Sequence, residues 1–292
     1  VPAVSTVSRC VIKEGRAGLG ITTAGMGIGV AMMVPLVQFL VIKFGWRICY
    51  LILSGLLLTG LPASRLMRLK PSEKGLYPDG INVVTHNPDS YLPNIKSFTF
   101  KQAISTKQFW LLFSLCAISA IPSGILIHLK AYMISFNISE MTAATVIGLS
   151  SLTYTVGAII ISGLSDKTGR KVTLFLSFLL MTLITLWLIR ASQTWEFYLF
   201  SIVFGFSWGG FVLFPAITAD WFGMKFQGSI YGMLEIGWGI GGAIAPISIG
   251  YIYDITGGYK LAFILSAVTL SLATGLSLML KIPYKKAKLS QE

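Results

Sequence analysis

Residues 162–174 read SGLSDKTGRKVTL and pack Asp166, Lys167, Arg170 and Lys171 into six positions. Residues 142–161 before this block and 172–189 after it carry no charged side chain. A helix rises about 1.5 Å per residue, so about 20 apolar residues cross the hydrocarbon layer of a bilayer. The two runs therefore read as membrane spans and the charged block as the tight turn between them. That reading makes the chain a polytopic membrane protein, and the rest of the sequence can be placed around it.

The bulk composition agrees. Of 292 residues, 54% are hydrophobic and 12% charged, against about a quarter charged in ordinary soluble domains. Eight complete spans are predicted, at 18–41, 48–66, 109–129, 142–164, 172–191, 197–218, 229–252 and 261–280, giving an all-α helical bundle. Residues 1–12 are an apolar stretch too short to span, read as the tail of a helix whose beginning is absent. A basic, proline-bearing linker without any span-length run separates residues 1–66 from a six-helix part at 108–282. The linker itself occupies 67–107, and a polar tail follows at 283–292.

The net charge of +12 could suggest a nucleic-acid partner, but loop charge explains it. Alternating sides through the predicted spans puts only Lys43, Arg47, Lys130, Arg190 and Lys260 on one side, leaving 18 of the 23 Lys and Arg on the other. Basic residues favour cytoplasmic loops, so the linker, the 162–174 turn and the C-terminus are expected in the cytoplasm, in the plasma (cell inner) membrane. No nucleic acid is required. Cys10, Cys49 and Cys116 are isolated, and no HExxH, GxSxG or Cys/His cluster occurs, so no metal, cofactor or enzymatic chemistry is expected.

An internal repeat is visible. Gly20, Gly25, Gly27 and Gly29 recur as Gly232, Gly237, Gly239 and Gly241, each displaced by 212 residues, and Pro35 has a near counterpart in Pro246. Glycine stretches also recur simply because close helix packing needs them. Four glycines in one register, each followed by a turn and another span, favour repeated six-helix halves joined by a linker, a plan known in secondary transporters. On that plan, residues 1–66 are the last part of a first half. About 100 residues carrying its earlier helices would precede Val1 in a twelve-span protein.

Leu164, Asp166, Gly169, Arg170, Lys171 and Leu174 match the loop signature G-x-L-x-D-x-x-G-R-[RK]-x-x-L of the major facilitator superfamily, with Ser162 in place of the leading glycine. PSEKGLYPDG in the linker, FKQAISTKQFWLL after it and FPAITADWFGMKFQGSIYG around Asp220 resemble the oxalate/formate antiporter and monocarboxylate-transporter branch. The resemblance implies a secondary transporter of a small organic acid working by alternating access; proton coupling is a hypothesis that rests on Glu235. Organic-anion members of that branch tend to carry a basic residue at the position of Ala158, and some carry a lysine at that of Trp238; this chain has neither charge. An exporter of neutral or hydrophobic compounds is the alternative within transport. A receptor or sensor on the same fold is the alternative outside it.

Charged groups inside spans are functional candidates because burying them is expensive. Glu235 lies within the span at 229–252 and, at 100° per residue, shares a face with Tyr231 and Trp238 while Gly237 and Gly241 lie roughly opposite. The expectation is a protonatable carboxylate facing the pathway, its pKa raised by desolvation; a structural acid bonded to a neighbouring hydroxyl is the competing reading. Ser151, Tyr154, Thr155, Ala158 and Ser162 align on one arc of the helix before the signature loop, and all but Ala158 offer hydroxyls for a polar solute, although such hydroxyls also bond helix to helix. Trp208, with Phe211 and Phe214, either lines the pathway or packs. His128 and Lys130 are placed to reach water or an anion. In the loop, beside Gly169 and Lys171, Asp166 is expected to cap or pair with a neighbouring helix end and with Arg170, forming a conformational gate.

Overall fold

Among the described residues the apolar runs fold as helices. The computed structural model describes residues 15–60, 97–223 and 226–281, with the side chains of 15–24 and 26 left undescribed. In order the helices are α1 (Gly15–Leu58), α2 (Phe100–Ile104), α3 (Lys107–Ala120), α4 (Ser123–Ile134), α5 (Glu140–Thr168), α6 (Arg170–Leu188), α7 (Thr194–Trp208), α8 (Leu213–Phe222), α9 (Gln227–Thr256) and α10 (Lys260–Leu278). Among the described residues seven helical stretches are long and apolar enough to cross a membrane.

The span boundaries differ from the sequence reading in physically clear ways. The two spans expected at 18–41 and 48–66 form the single stretch α1, broken at Gly45 with φ 77° and ψ 163°. A positive φ is tolerated by glycine alone without strain, so the FGWR sequence turns where it was expected to. Arg47 lies over Trp46 at 4.5 Å and Lys43 over Phe44 at 5.4 Å, a basic and aromatic cluster of the kind found at membrane interfaces. Residues 61–66 of the second expected span, most of the linker and all of the C-terminal tail lie outside the described residues.

The span expected at 109–129 is two helices, α3 and α4, interrupted at Ile121 and Pro122, since proline supplies no N–H and its ring disturbs the preceding turn. A 3-10 turn, Gly209–Val212, likewise separates α7 from α8. The turn between α5 and α6 is one residue, Gly169, at φ 90° and ψ 144°.

Burial departs from that of a soluble protein on both sides, with hydroxyls in the core and many large apolar side chains exposed. On α6 the buried residues include Thr173, Ser177, Thr182 and Thr185, while Leu176, Leu183 and Trp187 are about half exposed. Small hydroxyls pack inside together with Leu174, Phe178 and Met181, and other large apolar side chains point out, as expected when the surroundings are lipid.

The helices gather into two units. The first comprises Val1–Ser90, Lys130–Ile159 and Ser192–Gly209. In it α1 crosses α5: a Cβ on Gly27 would meet the Thr155 hydroxyl and the Ser151 carbonyl, and one on Gly148 would fall 2.9 Å from the Ala31 carbonyl oxygen. Gly205 of α7 closes in the same way on Ser150 and Thr153 of α5, and the Ser201 hydroxyl donates to the Val146 carbonyl at 2.7 Å.

The second unit comprises Tyr91–Leu129, Ile160–Ala191 and Gly210–Glu292. Here α9 lies on α3 through Gly237 against Phe113 and Gly241 against Ala117 and Ala120. The hydroxyls of Thr182 on α6 and Thr274 on α10 are 3.3 Å apart, and Phe109, Phe178, Phe214, Phe222 and Phe263 are fully buried.

Candidate functional site

Glu235 stands on the exposed face of α9. Its side chain is exposed, as are Gly232, Ile236 and Gly239 beside it, whereas Leu234, Gly237, Gly241 and Ala245 are buried. The division of faces expected from 100° spacing is therefore present: glycines pack on α3 and the carboxylate lies away from them. Among the described residues Glu235 makes no ion pair, and it lies within electrostatic reach of the buried Cys116 thiol. Tyr231 and Trp238 are half-buried on either side of it.

The hydroxyl face of α5 is largely taken up by packing. Thr155 is 6% exposed; its hydroxyl donates to the Ser151 carbonyl at 3.3 Å and sits beneath Gly27. Ala158 is buried against Gly209. Ser151 and Tyr154 remain half-buried. Trp208 packs edge-on to Phe204 at 5.3 Å, while Phe211 and Phe214 are ring neighbours at 5.6 Å, so these aromatics contribute to packing.

Lys130 is already engaged. Its Nζ donates to Glu140 Oε2 at 2.8 Å and to Gln38 Oε1 at 2.8 Å, and Gln38 Nε2 donates to the same Glu140 oxygen at 2.8 Å. Gln38 was passed over in the sequence because it is uncharged. A lone amide in an apolar run, costly to bury without partners, is the signal that would have found it. His128 is engaged too: its Nε2 lies 3.1 Å from the Pro246 carbonyl oxygen, and since a carbonyl only accepts, that nitrogen carries the proton. Its ring is 5.7 Å from that of Tyr259, whose phenol is pushed above its usual range by burial and by Tyr253 and Asp254 nearby.

The signature loop builds a three-residue charge cluster. Arg170 Nη1 lies 3.2 Å from Asp166 Oδ1 and donates to the Ser165 hydroxyl at 2.6 Å, while its Nε donates to Asp220 Oδ2 at 3.1 Å. The Asp166 to Arg170 pairing follows the sequence expectation. Asp220, in the last turn of α8, is the addition. A carboxylate there opposes the helix dipole, and the guanidinium offsets that penalty. Lys171 is half-buried next to the cluster. Among the described residues no group of His, Cys, Asp or Glu could hold a metal ion.

The sequence profile of the Major Facilitator Superfamily matches residues 4–212 and again residues 132–292. The chain belongs to the Major Facilitator Superfamily. It is thus a multi-pass integral membrane protein on a helical-bundle fold shared with transporters. It is 28% identical to monocarboxylate transporter 12 of Rattus norvegicus over 287 residues, covering 90% of this chain and 59% of that protein. It is also 28% identical to the gentisate transporter of Corynebacterium glutamicum over 154 residues, 52% of this chain and 35% of the relative. The superfamily chain therefore spans well under two thirds of these relatives' lengths. The crystal structure of the superfamily transporter FucP in the outward conformation superimposes with a TM-score of 0.54 at 13% identity, over 91% of this chain and 73% of that one, a likeness of fold.

Proposed function

We propose that the chain is the larger part of a secondary active transporter that moves a small organic acid by alternating access, with Glu235 carrying the coupling proton. The observation that carries the proposal is the exposed Glu235 carboxylate on a membrane span, on the side away from the packed Gly237 and Gly241. An intramembrane acid of this kind is retained for a task that an apolar residue cannot perform. The organic-acid class rests on the similarity to monocarboxylate transporter 12 and the gentisate transporter.

The glycine repeat supports a twelve-span whole. Gly27 packs on α5, while its repeat counterpart Gly239 has nothing within 4 Å among the described residues; Gly237 and Gly241 pack on α3, while their counterparts Gly25 and Gly29 likewise have no described residue within 4 Å. Equivalent halves would place a helix on each open glycine face. The cytoplasmic placement of the linker, the 162–174 turn and the C-terminus rests on the asymmetry of Lys and Arg between the two sides.

The test is uptake of labelled monocarboxylates by the full-length protein in proteoliposomes under an imposed pH gradient. Accumulation abolished by Glu235→Gln, with solute exchange retained, supports the assignment. Unchanged pH-driven uptake in that variant refutes proton coupling through Glu235. A second reading, export of neutral or hydrophobic compounds, is favoured by the neutralisation of Lys130 by Glu140. Inhibition by lipophilic compounds and not by monocarboxylates would select it.

A further inference from the structure

We infer that Gln38, Lys130 and Glu140 form a breakable latch that holds the transporter closed at the membrane side opposite the 162–174 loop. The inference rests on the alternating-access reading above. The three residues come from α1, α4 and α5, and the repeat assigns α1 to the first half and α4 and α5 to the second. Gln38 is 7% exposed, and both ends of its amide are used with the right polarity, the oxygen accepting from the ammonium and the nitrogen donating to the carboxylate. The amide thus ties α1 to an ion pair that α4 and α5 would make without it.

Two further features suit a contact that opens in each cycle. The Lys130 and Glu140 side chains are 36% and 52% exposed, so water takes the place of the Gln38 amide as it leaves and the ion pair stays solvated. Below the latch, α1 crosses α5 on glycines, Gly27 and Gly148, which lie against backbone carbonyls and a threonine. Surfaces without interdigitated large side chains can part without repacking a core.

Opening exchanges the Gln38 hydrogen bonds for water and leaves Lys130 paired with Glu140, so no unpaired charge is created. Gln38 is accordingly a positioning residue for the closed state. Its contribution is to the balance between conformations and not to solute contact.

The experiment measures spin-label distances in the full-length protein, with its native cysteines replaced by serine, between Lys43→Cys on the turn after Gln38 and Ser135→Cys at the end of α4. The latch predicts two distance populations. Gln38→Leu, Glu140→Gln or Lys130→Met should each raise the longer one about fivefold or more, and the swapped pair Lys130→Glu with Glu140→Lys should return it toward the wild-type proportion. A single distance that none of these substitutions moves would overturn the latch, as would a shift that the swap fails to reverse. Absence of any solute uptake by a protein that still shows the two populations would instead overturn the transport reading and leave the latch standing.

Discussion

Arg170 and Asp220, fifty residues apart in sequence, are joined by a 3.1 Å hydrogen-bonded ion pair that ties the start of α6 to the last turn of α8. The same guanidinium holds Asp166 at 3.2 Å. The loop signature therefore fixes the geometry of its own unit before it can act on anything else. Both pairs are partly exposed, so each contributes on the order of 0–1 kcal/mol. Asp166→Asn or Asp220→Asn alone should lower thermal stability in detergent only slightly, because the arginine keeps its other partner. The double substitution should cost at least about 0.5 kcal/mol more than the sum of the singles, the mark of a shared partner. Strict additivity would show that Arg170 does not couple the two acids.

Gly169 is held at φ 90° with nothing near the position of a Cβ. Gly169→Ala should therefore destabilise through the backbone alone, by about 1–2 kcal/mol. Gly163, within helix α5 and equally open, should respond with the opposite sign: Gly163→Ala should stabilise by up to about 1 kcal/mol. Paired thermal denaturation of the two variants reads the difference directly, and equal shifts would contradict the turn geometry.

Thr155 separates binding from packing on the hydroxyl face. Its hydroxyl bonds back to Ser151 and fits beneath Gly27. Thr155→Val keeps the volume and should leave the apparent affinity for solute within about twofold, with a stability loss of about 1 kcal/mol. Thr155→Leu overfills the crossing and should cost about 1–3 kcal/mol. A large loss of affinity in the valine variant, with stability intact, would restore the hydroxyl to a solute-binding role.

These contrasts show which features were legible in the residues. Span existence followed from uncharged runs bounded by charge, and the two faces of α9 followed from angular spacing, because both depend on local periodicity. The break at Pro122 was hidden since the apolar run continues through it. Asp220 and Gln38 were missed as partners because each finds its mate only after distant helices come together. The Ser151 and Thr155 hydroxyls suit a solute and a neighbouring helix equally well on chemistry alone, and only the approach of Gly27 distinguishes the two.

The open glycines give the sharpest check on the twelve-span proposal. Gly27 is closely covered by Thr155 and Ser151, while Gly25 and Gly29 face open space. Gly27→Leu should destabilise the protein in either case, by about 1–3 kcal/mol from overpacking. Gly25→Leu and Gly29→Leu distinguish the alternatives. If a first-half helix packs on this face as α3 packs on Gly237 and Gly241, they should destabilise the full-length protein by a similar amount; if the face meets only lipid, they should be neutral or slightly stabilising. Gly239→Leu on α9 makes the reciprocal test, since its counterpart Gly27 is the covered one. Thermal unfolding of the four variants in one detergent would show covered behaviour at all four positions if the halves are true repeats. Neutrality at Gly25, Gly29 and Gly239 together would reduce the 212-residue register to a similarity of glycine-rich helices.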